Sequence, residues 1–246
     1  MRHWTRYAAP ARFAPLVRPW LPWLWAACLV SALAGLAVGL VLAPTDAQQG
    51  QSYRILYIHV PAAWMSMLLY LVMAFWAAVG WVWRVRLAFM LARAVAPTGA
   101  LFTGIALLSG ALWGQPTWGT WWVWDARLTS ELILLFLYLG CLSLFDGFDD
   151  PERGDHAGAL LAMVGAVNVP IIYFSVVWWN TLHQGATITA TAAPRMDPAM
   201  LCGLLLCTLA SWLYAIAVVL TRTLALIGER ERDRHWMPAL SEPDHA

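Results

Sequence analysis

Residues 61–83 read PAAWMSMLLYLVMAFWAAVGWVW, an apolar run with no charged side chain. As a helix rising about 1.5 Å per residue, such a run crosses a bilayer core of about 30 Å. Five more charge-poor stretches of comparable character lie on either side, at 20–42, 94–112, 128–145, 159–179 and 199–221. The fourth span, 128–145, is short and opens on Thr129, Ser130 and Glu131. The run at 20–42 follows an Arg-rich start, as a signal peptide would. It is longer than the roughly 7–15 residues of a signal core, so it counts as a span. The expectation is an all-α integral membrane protein of six transmembrane helices. Residues 1–225 then form one membrane domain, followed by a polar tail at 226–246 that is a frayed helix or disordered.

Composition agrees. Of 246 residues, 61% are apolar and 12% charged, against about 45–50% and 25% in soluble domains. A net charge of +1 gives no footprint for nucleic acid. All 15 basic residues are Arg, and Arg marks the cytoplasmic side of a span set. Arg2, Arg6, Arg12, Arg18, Arg84, Arg86, Arg93, Arg153, Arg222, Arg230, Arg232 and Arg234 fall on one side, and only Arg54, Arg127 and Arg195 on the other. Both termini are therefore expected in the cytoplasm. The four cysteines (Cys28, Cys141, Cys202, Cys207) lie in apolar stretches without a CxxC, which reads as buried inert thiols. No nucleotide-binding glycine pattern and no GxSxG elbow occurs, and no soluble segment is large enough to bind ATP. Energy input is expected from a partner.

The chemistry collects on the outer face, in the connections 43–60, 113–127 and 180–198. The middle one carries Trp113, Trp118, Trp121, Trp122 and Trp124, out of 17 Trp in the chain. One reading is an aromatic belt at the membrane interface. The other is a rigid platform of indole faces suited to a large planar apolar ligand. His59 and His183 flank it, and counting spans puts both on the same side as the Trp segment. His3, His156, His235 and His245 fall on the opposite side. A lone interfacial His is ordinarily a hydrogen-bonding residue. Two of them around an aromatic platform fit axial ligation of haem iron, each with its second ring nitrogen fixed by Gln184 or a backbone carbonyl. Arg54 and Arg127 are the external cations near enough to take propionates. Arg127 has an alternative partner in Glu131 at i,i+4, and Asp125 either caps the fourth span or holds Arg127 or an indole N–H. The absence of CxxCH excludes permanently attached c-type haem. Asn168 and Pro170 interrupt the fifth span, the Asn as polar glue between helices and the Pro as a kink.

The segment WGTWWVWDARLTSE (118–131) resembles the tryptophan-rich WWD signature of haem-handling proteins in cytochrome c maturation. With QGQSYRILYIHVPAAW (49–64), WWNTLHQG (178–185) and six spans, the chain is similar to the CcmC family. The specific motifs cover 43–185, and the remainder is matched by span count. Longer relatives that join haem to apocytochrome share the signature but have more spans and histidines. The resemblance implies a non-enzymatic role in which haem b rests on the WWD surface with His59 and His183 as axial ligands. It also implies hand-over to the periplasmic haem chaperone CcmE, beside the CcmA and CcmB transporter subunits and CcmD, in the bacterial inner membrane. Two other classes stay in view. A haem exporter predicts ionisable residues lining a path through the helices, for which there is only Glu131 near a helix end, with the polar Asn168. A permanent haem-b electron-transfer protein predicts histidine pairs inside helices.

Overall fold

The structure is a computed structural model that describes residues 9–179, 181–183, 194 and 196–232. Among these residues the regular structure is entirely helical, and six helices are long and apolar enough to cross a membrane. The chain is thus an all-helical, six-span membrane protein. Arg2, Arg6, His3, Gln184, Arg195, Arg234, His235, His245 and the tail from 233 onward lie outside the described residues.

Span 1 is composite. A short helix α1 (Pro10–Val17) and a 3-10 turn (Arg18–Trp20) lead into α2 (Leu21–Ala37), which closes in a π-helical turn (Val38–Leu42). A 3-10 turn (Gln51–Ile55) starts span 2, which continues as α3 (Leu56–Trp83). α4 (Arg86–Trp118), α5 (Ala126–Asp146) and α8 (Pro198–Arg230) are the third, fourth and sixth spans. Span 5 is broken into α6 (Pro151–Gly165) and α7 (Asn168–Trp178), with the break at the expected Asn168.

Helix ends overrun the apolar runs. α4 begins at Arg86, eight residues before its expected start at 94, and continues through Trp118. At 33 residues it measures about 50 Å at 1.5 Å per residue, well beyond a hydrocarbon core of about 30 Å. Charged and polar residues sit comfortably in the protruding turns, so loss of hydropathy does not end the helix. The second connection accordingly shrinks to Arg84 and Val85, with Arg84 in the left-handed region at φ 52°. Three later helices start on an Asp cap: Asp125 accepts from the Leu128 N–H, Asp150 from Glu152 and Asp197 from Ala199. Pro151 and Pro198 occupy first-turn positions, where a missing N–H is harmless.

α3 and α4 form a central antiparallel hairpin, with α2 and α8 packed on one another beside it and α5, α6 and α7 on the other flank. Tyr70, Met73, Met90, Leu134 and Tyr138 are fully buried between them. At the crossing of the first and last spans a methyl on Gly203 would lie 3.0 Å from the Gly39 Cα. The two backbones approach there as small residues allow in membranes. Asn168 donates to the Ser130 carbonyl at 2.9 Å, the interhelical role expected of it. Charges gather at the end of the bundle carrying the Arg84–Val85 turn. There Arg230 grips Asp155 with two bonds of 2.5 and 2.9 Å, Arg86 pairs with Glu231 at 2.7 Å, and Arg93 holds Asp146 and the Phe145 carbonyl. Two cysteines depart from expectation. Cys141 and Cys207 are buried, but Cys28 is only half-buried and Cys202 is exposed on the apolar perimeter; all four are free thiols.

Candidate functional site

At the other end of the bundle three connections converge. His59 is not in a loop ahead of Pro61, because the helix already begins at Leu56. It therefore sits in the first turn of α3 and faces α4. The His59 Nδ1 lies 3.1 Å from the Ala106 carbonyl oxygen and 3.1 Å from Ser109 Oγ. A carbonyl only accepts, so Nδ1 carries the proton and Nε2 presents its lone pair. Gly110 makes the fit possible, since a Cβ there would stand 3.0 Å from His59 Cε1.

The first part of the Trp segment is helical. Trp113 and Trp118 lie in the last turns of α4, and a Cβ on Gly114 would press within 3.1 Å of the Trp118 ring. Gly119 ends the helix at φ 78°, donating to the Gln115 carbonyl at 3.0 Å; left-handed backbone there favours glycine. Trp113 is fixed from three sides. Its Nε1 donates to Gln49 Oε1 at 2.7 Å, and its ring meets Tyr53 and His59 edge-on at 6.0 and 5.6 Å. Gln49 is itself held by its backbone N–H on Asp46 Oδ1 at 2.7 Å.

His183 follows α7 and comes back over the same spot. Its ring centroid is 6.2 Å from that of His59, with 34° between the planes, and 6.1 Å from Trp118. These rings border an open-mouthed cleft at this end of the bundle. Its walls are mainly apolar, with Arg127 and Glu131 entering from α5.

The residues expected at the site divide into two groups, with Arg54 apart from both. His59, His183, Trp113, Trp118 and Arg127 line the cleft. Trp121, Trp122, Trp124 and Asp125 form the loop and helix start beside it. Trp121 and Trp124 are 58% and 76% exposed, and Trp122 packs edge-on against Trp124. Asp125 uses Oδ1 to cap α5, while its buried Oδ2 and the buried Trp122 Nε1 have no hydrogen-bond partner among the described residues. Arg54 is committed elsewhere: it donates to the Gly39 carbonyl at 2.8 Å, to that of Leu40 at 2.5 Å and to Gln51 at 2.6 Å. It thus ties down the end of span 1. Arg127 bonds the Ile172 carbonyl at 2.9 Å rather than Glu131, and Glu131 accepts from Ser66 Oγ at 2.6 Å.

Gln49, Ser109, Gly110, Gly114 and Ser66 are parts of the site that sequence reasoning missed. The signal was present for the glycines, which recur at i,i+4 on the face of α4 that carries Trp113.

A six-span membrane protein with two facing imidazoles in an aromatic cleft at one end of its bundle belongs to a narrow class. The family model described as Heme exporter protein C, CcmC, matches residues 3–238. Heme exporter protein C of Escherichia coli K12 is 46% identical over 233 residues, covering 95% of this chain and 94% of its own length. The protein of the same name from Bradyrhizobium diazoefficiens is 50% identical over 206 residues, 82% of this chain and 77% of its own. The chain belongs to the CcmC family.

Proposed function

We propose that the cleft is a transient, non-covalent haem b site serving cytochrome c maturation. In this reading it faces the periplasm from the bacterial inner membrane, with both termini in the cytoplasm. The observation that carries it is the spacing of His59 and His183. Two imidazoles that share one metal through nitrogens about 2 Å from it have ring centroids about 6 Å apart, and here the distance is 6.2 Å. The donor set also fits. His59 offers an unprotonated Nε2, Gly110 and Gly114 leave room for the rings of His59 and Trp118, and two indoles wall the cleft.

His59 and His183 would be the axial ligands. Trp113 and Trp118 would wall the macrocycle and exclude water, and Trp121, Trp122 and Trp124 would extend that aromatic surface outward. Arg127 is the cation in the cleft for a propionate. Asp125 would hold this corner by capping α5. Arg54 acts at a distance, fixing the segment that carries Gln49 and His59. The chain makes and breaks no covalent bond in this role. Cargo held only by side-chain ligands can pass to a chaperone, CcmE, that attaches it, with CcmA, CcmB and CcmD as the surrounding complex. Residues 1–225 act as the membrane unit and 226–246 as its cytoplasmic tail.

The test is the visible spectrum of the protein purified with haem, compared with His59→Ala and His183→Ala. Wild type is expected to be low-spin. Each variant should lose that signature and regain it with added imidazole. An unchanged low-spin spectrum in either variant removes that histidine from the ligand set.

A further inference from the structure

A haem carries two propionates, and a carboxylate taken out of water needs a cation or a hydrogen-bond donor. The cleft meets only one of the two with charge. Arg127 lines it and spends one of its five N–H groups on the Ile172 carbonyl at 2.9 Å, which leaves the others for a ligand. Arg54 does not line the cleft and is bound to the carbonyls at the end of span 1. The second propionate therefore needs a different partner.

Most polar groups of the lining are already committed. His59 Nδ1 faces the Ala106 carbonyl, and Thr117 donates its one hydroxyl proton to the Trp113 carbonyl at 2.6 Å. Glu131 is itself a carboxyl group. The Trp113 N–H donates to Gln49 Oε1 at 2.7 Å. An indole N–H only donates, so the prong of the Gln49 amide that it meets is the oxygen. The other prong is then the NH2 group, which has no partner among the described residues, on a side chain that lines the cleft. The Trp118 N–H is the other uncommitted donor of the lining, but it is a single N–H where the amide offers two.

Gln49 is also held in place before any ligand arrives. Its backbone N–H donates to Asp46 Oδ1 at 2.7 Å, and its carbonyl accepts from Ser52 Oγ at 2.6 Å. Gly50, at φ 58°, closes the turn by donating to the Asp46 carbonyl at 3.0 Å. Trp113, which fixes the side chain, stands edge-on to His59 at 5.6 Å. A donor restrained in this way loses little freedom on binding, and it lies one indole away from a ligand histidine.

We propose that Gln49 binds the cargo directly, its amide NH2 donating to the propionate that Arg127 does not take. The proposal rests on the haem-site reading above. The cleft then distinguishes a porphyrin with free carboxylates from one without them by a charged partner on α5 and a neutral one ahead of α3. A Gln49 that only anchors Trp113 would support any iron porphyrin equally.

The experiment is a titration of the purified protein in detergent with ferric haem and with its dimethyl ester, whose two arms are uncharged, read by the low-spin band. Wild type should bind haem more tightly than the ester. Gln49→Glu keeps an oxygen for the Trp113 N–H and puts an oxygen where the NH2 stood. It should weaken haem binding about tenfold or more, the range of one hydrogen bond to a charged group, and weaken the ester far less, so that the preference shrinks. Equal weakening of both ligands, or a wild-type preference, overturns the proposal and leaves the haem site standing. Loss of the preference in Trp118→Phe with its retention in Gln49→Glu assigns the propionate to that indole and likewise overturns it. Should Gln49→Glu fail to fold, Gln49→Met decides: the preference should shrink there too, and a wild-type preference overturns the proposal. A low-spin spectrum that survives both His59→Ala and His183→Ala overturns the haem site and this proposal together.

Discussion

The His59 ring is locked to α4 by its Nδ1, 3.1 Å from the carbonyl oxygen of Ala106. One contact fixes both the tautomer and the direction of Nε2. It spans 47 positions of sequence and joins the first turn of α3 to the middle of a 33-residue helix.

Gly110→Ala tests this lock without touching the imidazole. The new methyl would lie 3.0 Å from His59 Cε1 and must displace the ring. Alanine is the better helix former by about 1 kcal/mol, so the fold should be retained. Haem per folded protein should drop, with the low-spin signature weakened and partly restored by imidazole. A normal spectrum would show that His59 does not need this seat.

Arg54 and Arg127 should separate cleanly. Arg127→Gln removes the cation of the cleft and should reduce haem retention by about 1–3 kcal/mol, the range of a charge-assisted hydrogen bond. Arg54→Gln unties the carbonyls of Gly39 and Leu40 and should lower the thermal midpoint. Haem bound per folded molecule should change less than for Arg127→Gln. Equal effects of the two on haem retention would contradict the division.

Trp118→Ala should weaken haem retention by roughly 1–3 kcal/mol, the value of one large buried side chain. Trp121→Ala, at a ring that is 58% exposed and outside the cleft lining, should have a smaller effect. Haem titration of both variants in detergent makes the comparison. The reverse order would move the platform out to the loop.

Much of this was legible in the sequence, and for one reason. Charge-poor runs the length of a bilayer specify spans, and span parity then sorts every connecting segment to one of two ends. Parity alone brought His59, the Trp segment and His183 together, and their rings do meet. Helix boundaries were not legible, because helices protrude beyond the apolar core. That is why Trp113, Trp118 and His59 proved to be helical residues. The seat of His59 was not legible either, since Ala106, Ser109 and Gly110 carry no chemical signal until two helices are packed. Arg54 and Arg127 looked alike as external cations. Only the position of the carbonyls at the end of span 1 shows what occupies Arg54.

Asn168→Ala should cost about 0.5–1.5 kcal/mol of stability, the net value of one hydrogen bond, because it removes the side-chain donor to the Ser130 carbonyl at the break between α6 and α7. Thermal unfolding in detergent reads this. A melting curve matching wild type would mean that the break is held by packing alone.

The orientation has its own test. Thr120→Cys, in a background without the four native cysteines, should react with a membrane-impermeant thiol reagent from the periplasmic side. Reaction only from the cytoplasm would invert the arrangement and take the site with it.

The turn of Arg84 and Val85 is too short to admit anything between its helices. Spans 2 and 3 are therefore held as one tight hairpin. The far ends of that pair are the stretches bearing His59 and Trp113. The two sides of the cleft thus share one rigid support, and their register is set at the opposite end of the bundle. An insertion that lengthened this bend would loosen that register while leaving every residue of the cleft unchanged.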